Sequence, residues 1–236
     1  MDARDFVIVG YGGIGSGVLE QILQCAEVEK VVVLSRSVHR HADARVQFRQ
    51  GDVSCAESLA HVFAEVSSPC CVINTIGLLH GDNILPEKRL ADVRKEALLR
   101  SIEVNTYSTI ALAQAIEQNF SRKQAVSLVA LSARVGSIGD NRLGGWLSYR
   151  VSKAALNMAI RTVSVEWRRT RPLNLIVAYH PGTVDTGLSQ PFQGSVPEGK
   201  LFSREQAGNY LLDVINQLEA DDSGSFKAWD GSDIAW

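Results

Sequence analysis

The sequence has little of what marks a nucleic-acid-binding, membrane or secreted protein. Its 236 residues include 24 Lys and Arg against 26 Asp and Glu, and the formal net charge of -2 gives no basic surface for nucleic acid or acidic lipid. No apolar run is long enough to span a bilayer, and the opening MDARDFVIVG places charges where a signal peptide needs an apolar stretch. These absences predict a cytoplasmic protein without nucleic-acid or membrane partners.

The sequence also lacks cysteines and histidines at the spacings that metal sites use. The four cysteines do not follow any metal-binding pattern, and we expect Cys70 and Cys71, at the start of an apolar run, to be small core residues. The histidines form no pattern with carboxylates or cysteines that would hold a metal ion. The sequence therefore predicts no metal site.

Short runs of β-branched residues alternate along the chain with longer amphipathic stretches. Strands are predicted at DFVIVG, KVVVLS, RVQFRQGD, CCVINTIG, AVSLVALS, LNLIVAYHPG and in the tail GSFKAWDGSDIAW. Helices are predicted at GGIGSGVLEQILQCA, at ESLAHVFAEV, and near residues 88–119, 146–170 and 203–219. This alternation predicts an α/β fold, a single-domain Rossmann fold over residues 1–236. Its doubly wound parallel sheet would have about seven strands with helices on both faces.

Three glycines, Gly10, Gly12 and Gly15, form G-x-G-x-x-G directly after the first predicted strand and at the start of a helix. Such glycines allow a tight turn and let the backbone approach a pyrophosphate at the helix N-terminus. A glycine-rich turn without a ligand is the alternative, but the position in the first βα unit favours a dinucleotide.

The end of the second predicted strand indicates which dinucleotide. An acidic residue there would bind the adenosine ribose of NAD, but this sequence has Ser35 and Arg36. A guanidinium suits a 2′-phosphate, although Arg36 is equally compatible with a solvated surface position. We therefore predict NADP(H) as the preferred cofactor, with NAD(H) possible.

The stretch WLSYRVSKAAL places Tyr149 and Lys153 one helical turn apart. Taken alone, the pair is explained by a Tyr at a helix rim beside a snorkelling Lys. Ser132 ends the fifth predicted strand and Asn105 lies in the helix before it, so both are expected near the pair at the carboxyl ends of the strands. A nearby ammonium favours the ionised phenol, so Tyr149 can exchange a proton with a substrate oxygen that Ser132 hydrogen-bonds.

The motifs GYGGIGSG, NTIG, EVNTYS, ALSARVGSI, SYRVSK and HPGTVDT resemble the short-chain dehydrogenases/reductases over nearly the whole chain. The similarity is greatest to the C-signal and carbonyl-reductase-like branch. The resemblance implies that Tyr149 is the acid/base, Ser132 orients the substrate, and Asn105 organises a water beside Lys153. It also implies that Lys153 binds the nicotinamide ribose and lowers the pKa of Tyr149.

The resemblance implies a cofactor site as well. Asp52 and Val53 would lie near the adenine, Asn74 and Gly77 near the adenosine-side ribose, and residues 181–183 near the carboxamide. With the glycine turn and the Tyr–Lys pair, the predicted cofactor-binding set is Gly10, Gly12, Gly13, Ile14, Gly15, Ser35, Arg36, Asp52, Val53, Asn74, Gly77, Tyr149, Lys153, Pro181, Gly182 and Thr183. The glycine turn is one residue shorter than the family's usual turn, NTIG replaces Asn-Asn-Ala-Gly, and DNRLGG is extra before Tyr149.

The predicted function is that of an NADPH-dependent oxidoreductase that reduces a ketone or aldehyde to an alcohol, or the reverse. The alternative is an NAD(P)-binding signalling protein of the C-signal type, but the complete Asn, Ser, Tyr and Lys set favours the enzyme. Residues 186–203 are expected to be a substrate lid, with a plain surface loop as the rival. The apolar faces of the long helix and the Tyr149 helix predict a homo-oligomer, a dimer or tetramer, although packing on the sheet also explains them.

Overall fold

The computed structural model describes residues 5–81 and 84–236. Its main sheet has seven strands: β1 (Asp5–Val9), β2 (Lys30–Ser35), β3 (Val46–Gln50), β4 (Cys70–Asn74), β5 (Val126–Leu131), β6 (Leu175–His180) and β9 (Phe226–Ala228). Their order across the sheet is β3-β2-β1-β4-β5-β6-β9, and every neighbouring pair is parallel. The predicted α/β Rossmann fold is confirmed. The predicted domain span of 1–236 includes residues 1–4 and 82–83, outside the described residues, and stays a prediction.

Six helices connect and cover the strands in the described part of the chain. They are α1 (Gly13–Ile22), α2 (Ala56–Phe63), α3 (Lys95–Ile102), α4 (Ser108–Asn119), α5 (Leu147–Thr170) and α6 (Arg204–Gln217). A small parallel sheet joins β7 (Thr183–Val184) to β8 (Leu201–Phe202) beside the main sheet. None of the described helices is both long and apolar enough to cross a membrane.

Alternation along the strands divides the core into two layers. In β1, Phe6 and Ile8 belong to a buried cluster that includes side chains of α1 and α6. Val7 and Val9 point to the opposite face and pack in a cluster with α2, α4 and α5. Because both faces of the strands are covered, the strand sequences are almost continuously apolar.

The predicted long helix over residues 88–119 is interrupted in the structure. A single 3-10 turn occupies Leu90–Asp92, α3 begins only at Lys95, and a π-helical turn over Glu103–Tyr107 separates α3 from α4. Asp92 closes the first turn by accepting a hydrogen bond from the Arg89 backbone N–H at 3.2 Å. The first predicted helix is also shorter than expected and ends at Ile22.

The strand order fixes where a ligand can enter the sheet. From β1 the chain continues to β2 and β3 on one side, and from β4 onward it builds the other side. Connections of opposite direction leave a crevice between β1 and β4 at the carboxyl ends of the strands. The candidate site lies at this edge.

Candidate active site

A cleft of about 630 Å³ lies at the carboxyl ends of the first four strands. Seven of the predicted cofactor residues line it: Gly10, Gly12, Ser35, Arg36, Asp52, Val53 and Gly77. Further lining residues that the sequence did not single out include Tyr11, His39, Thr75, Arg100 and Tyr107. The cleft is large enough for part of a dinucleotide, since ligand pockets usually measure about 300–1,000 Å³.

The glycine turn combines a tight bend with an open helix end. Gly10 has a φ of +95°, and a Cβ at Gly15 would lie 2.3 Å from the Gly10 carbonyl oxygen. By contrast, a Cβ at Gly12 would meet no atom within 4 Å, and Gly12 caps α1 without a side-chain hydrogen bond. The first N–H groups of α1 therefore face space that an anionic group can fill, which fits a pyrophosphate.

The two other predicted residues of this turn serve packing. A Cβ at Gly13 would lie 2.3 Å from the Thr186 Cγ2 atom, so Gly13 lets the segment after β7 approach α1. Ile14 is partly buried and packs against the core cluster of α1 and α6. The hydroxyl of Thr75, in the NTIG motif, donates to the carbonyl oxygens of Val9 and Gly10 at 3.1 and 2.9 Å. It thereby ties the end of β4 to the glycine turn.

The far end of the cleft carries an exposed cation. The Arg36 guanidinium makes no hydrogen bond or ion pair with any residue in the described part of the chain, so it is available to a ligand. Asp52 accepts hydrogen bonds from the Ser54 backbone and hydroxyl, and these lower the pKa of its carboxyl, with smaller contributions from Arg36 and Arg100.

Aromatic rings form one wall at this end. The Tyr11 ring lies 4.7 Å from that of His39 and 4.9 Å from that of Phe48, both edge to face. Tyr11 and His39 line the same cleft as the Arg36 cation, an arrangement suited to a base and a phosphate on one ligand.

Tyr149 and Lys153 lie in the first two turns of α5. Lys153 is 2% exposed, and its Nζ donates to the Leu131 carbonyl oxygen at 2.7 Å and lies 5.8 Å from the centre of the Tyr149 ring. Burial lowers the pKa of Lys153 to about 7 and raises the pKa of Tyr149. The phenol is therefore protonated at neutral pH, and burial rather than the Lys153 charge dominates the pKa of Tyr149.

Ser132 and Asn105 attach neighbouring elements to the same part of α5. Ser132 Oγ, directly after β5, donates to Asn157 Oδ1 at 2.6 Å. Asn105, in the π-helical turn, donates from Nδ2 to Ser152 Oγ at 2.9 Å and accepts from the Leu78 backbone N–H at 2.7 Å. The structure thus brings Ser132 and Asn105 to partners that flank Lys153 on α5.

Asn74 is turned away from the cleft. Its Nδ2 donates to Ser108 Oγ at 3.0 Å and to Thr109 Oγ1 at 2.9 Å, and its Oδ1 accepts from the Ile76 backbone N–H at 3.1 Å. In this structure Asn74 therefore holds the end of β4 against α4, while Gly77 lines the cleft.

The predicted carboxamide-side residues, Pro181, Gly182 and Thr183, lead from β6 into the small sheet. Gly182 adopts a φ of +74°, because a turn is needed there, and Thr183 pairs with Leu201 of β8. The pairing closes the predicted lid, residues 186–203, into a loop anchored at both ends.

Aromatic contacts dock that loop on the Tyr149 helix. The Phe192 ring lies 4.8 Å from the Trp146 ring, which in turn lies 6.4 Å from the Tyr149 ring. His80 Nε2 lies 3.1 Å from the carbonyl oxygens of both Gly187 and Leu188. The sequence does not single out Trp146, Phe192 or His80, although the extra residues DNRLGG lie directly before Trp146.

His180, at the end of β6, has no hydrogen-bond partner for its Nδ1 among the described residues, and burial lowers its pKa to about 4. No cluster of His, Cys, Asp and Glu side chains in residues 5–81 and 84–236 is arranged to hold a metal ion.

The fold and the site together define a dinucleotide-binding α/β protein with a half-buried Tyr149 beside the buried Lys153. Residues 24–210 match the family model described as enoyl-(acyl carrier protein) reductase. The chain belongs to the short-chain dehydrogenase/reductase family and is an NAD(P)-dependent dehydrogenase or reductase. The matched residues include Asn105, Ser132, Tyr149 and Lys153 and begin after the glycine turn.

Similar proteins fall in the branch that the motifs predict. The chain is 29% identical over 185 residues to 1-hydroxy-2-glutathionyl-2-methyl-3-butene dehydrogenase of Rhodococcus sp. (strain AD45), covering 78% of each chain. It is 32% identical over 149 residues to C-signal of Myxococcus xanthus, covering 62% of this chain and 83% of that one. The NADPH-bound carbonyl reductase from chicken fatty liver has the same fold, with a TM-score of 0.82, 24% identity, and coverage of 100% of this chain and 95% of that one.

The pKa of Lys153 predicts a pH dependence of stability. Its folded-state pKa of about 7 lies below the ordinary value of 10.5, so between these pH values the unfolded chain binds a proton that the folded chain does not. The wild type should therefore gain stability relative to Lys153→Met as the pH rises through this window, by at most about 1.4 kcal/mol per pH unit. Urea unfolding of both proteins without dinucleotide measures the difference, and a difference independent of pH would contradict the shift.

Proposed function

We propose that the protein is an NADPH-dependent carbonyl reductase, or the reverse alcohol dehydrogenase, with Tyr149 as the acid/base. The observation that carries this proposal is the Tyr149–Lys153 pair, of which Lys153 is 2% exposed, on a helix joined by hydrogen bonds to the end of β5. A structural role alone gives no reason to bury an ammonium at the edge where parallel strands end, because such burial is costly.

Residues along the crevice would hold the dinucleotide. The N–H groups at the start of α1 would bind the pyrophosphate, Ser35 and Arg36 the 2′-phosphate, and Asp52 and Val53 would border the adenine. Lys153 and residues 181–183 would bind the nicotinamide end. When bound, the nicotinamide supplies or accepts the hydride.

Tyr149 would be the group that donates or accepts the proton. In the reduction its phenol donates a proton to the substrate oxygen as negative charge develops there, and in the oxidation the phenolate takes that proton back. Ser132 Oγ would hydrogen-bond the same oxygen, for which it must exchange its present donation to Asn157. Because desolvation raises its pKa, Tyr149 is protonated at neutral pH and has a proton to donate when negative charge develops on the substrate oxygen.

The reductase name of the NADPH-bound chicken protein supports the choice of a carbonyl substrate, and its bound NADPH supports the cofactor. The similarity to C-signal of Myxococcus xanthus makes a signalling role the second candidate function. However, a protein that only binds NAD(P) has no need of a phenolic proton donor beside a buried lysine. The cytoplasmic location and the lack of nucleic-acid and membrane partners stay predictions from charge and hydropathy.

Replacing Tyr149 with Phe tests the proton donor. The ring and its packing remain, so the fold and NADPH affinity should be kept, while turnover should fall by about two to four orders of magnitude. Initial rates of NADPH oxidation with benzil, an aromatic aldehyde and a quinone measure turnover, and fluorescence titration measures binding. Full reductase activity in Tyr149→Phe would overturn the mechanism, and no turnover of any carbonyl by the wild type would overturn the function.

Replacing Arg36 with Ala tests the cofactor preference. Loss of a charge-assisted hydrogen bond to the 2′-phosphate should weaken NADPH binding by about 10- to 100-fold and leave NADH binding unchanged. Arg40→Ala is the matched control, because Arg40 is exposed nearby but does not line the cleft. Calorimetric titration with both cofactors gives the comparison. Equal affinity of the wild type for the two cofactors contradicts the assignment.

We also propose that the protein forms a homo-oligomer through α5. Val151, Met158 and Val165 are 40%, 66% and 48% exposed and follow one another at intervals of seven residues, which places them on one face of the helix. Met158→Glu should therefore shift the mass measured by light scattering to that of the monomer. A monomeric wild type at micromolar concentration would contradict the proposal.

A further inference from the structure

Glu87 is a buried acidic side chain for which the proposed mechanism has no use. It lies between β4 and α3 and is 5% exposed. Within the described residues no Lys, Arg or His forms an ion pair with it. A buried carboxylate is costly without strong hydrogen bonds, so its partners indicate why it is there.

Its partners are the first residues of the helix that carries Tyr149. The Glu87 carboxylate accepts from the Ser148 hydroxyl through Oε1 and from the Ser148 backbone N–H through Oε2, the latter at 3.2 Å. The Glu87 backbone carbonyl accepts from the Trp146 N–H at 2.6 Å. Trp146 caps α5 without a side-chain hydrogen bond, and the first turn of α5 contains no acidic residue. Glu87 thus supplies from a distant segment the negative cap that the helix itself lacks.

The chain that enters α5 needs such an anchor. Gly144, Gly145 and Trp146 have φ values of 63°, 67° and 53°, so three successive residues adopt the left-handed conformation. Glycine tolerates this conformation, but Trp rarely adopts it. The hydrogen bond from Trp146 to Glu87 holds the last residue of this turn, three positions before Tyr149. The same turn places the Trp146 ring between Phe192 and Tyr149.

We propose that Glu87 is a positioning residue for Tyr149. By binding Ser148 and Trp146 it fixes the start of α5, and with it the position of the phenol relative to the substrate oxygen and the Trp146 ring at the lid. The inference rests on the proposed role of Tyr149 as proton donor. Its physical basis is that proton transfer depends steeply on geometry, so a small displacement of the donor is costly.

The test compares two carboxylates that bind opposite ends of one helix. Glu87→Ala removes the two carboxylate acceptors of Ser148 and keeps the backbone bond to Trp146. Glu117→Ala removes the Glu117 Oε1 acceptor of the Trp167 Nε1–H, 2.7 Å away near the end of α5. Glu87→Ala should lower kcat for benzil reduction by about 10- to 100-fold with the NADPH Kd unchanged. Glu117→Ala should lower the Tm and leave kcat unchanged. Glu87→Gln keeps a carbonyl acceptor of the same size and should recover most of the lost kcat.

Hydrogen exchange gives a readout that does not depend on turnover. Glu87→Ala should speed exchange of backbone amides at residues 146–150 but not at 165–170, and Glu117→Ala should show the reverse. If Glu87→Ala does not fold, Ser148→Ala removes the hydroxyl donor alone and should also lower kcat.

The outcomes separate this inference from the function on which it rests. Normal kcat in Glu87→Ala, or an equal loss in Glu117→Ala, would overturn the positioning role while an inactive Tyr149→Phe upholds the proton donor. Full activity in Tyr149→Phe would overturn both.

Discussion

The burial of the Lys153 amino group constrains the rest of the site. An ammonium removed from water needs an oxygen partner, and here it is the Leu131 carbonyl at the end of β5, 2.7 Å from Nζ. This bond fixes the first turns of α5 against the edge of the sheet, so that Ser132 reaches Asn157 and the π-helical turn reaches Ser152. Desolvation lowers the pKa of Lys153 and raises the pKa of Tyr149, so one physical cause shifts both pKa values.

The glycine turn shows how one short motif meets two different needs. Gly15 is required because the chain passes close to itself, with a Cβ position 2.3 Å from the Gly10 oxygen. Gly12 has open space around it and leaves the end of α1 free. Gly15 therefore preserves the fold of the turn, and Gly12 preserves room for a ligand. The Thr75 hydroxyl, after the end of β4, donates to the Gly10 carbonyl oxygen and so holds the glycine turn in place across the crevice.

The sequence predicts the parts of this protein that depend on local patterns. Alternating apolar runs predict the parallel strands, and the spacing of Tyr149 and Lys153 predicts their shared helix. The break of the long helix was not predictable in this way, because the π-helical turn at Asn105 is matched to partners on α5. Nor was Glu87, whose bond to Ser148 spans 61 positions in sequence and exists only once the fold is formed. The contact of the Phe192 ring with the Trp146 ring was not predictable either, because it too exists only once the fold is formed.

The proposed function requires that this chain move a hydride between NADPH and a carbonyl carbon. The most direct measurement supplies the wild type with NADPH that carries two deuterium atoms at C4 of the nicotinamide, together with benzil, and determines the deuterium content of the alcohol by mass spectrometry. We expect one deuterium atom in the alcohol, bound to the carbon that was the carbonyl. An alcohol without deuterium, or no alcohol from this or any other carbonyl, would contradict it.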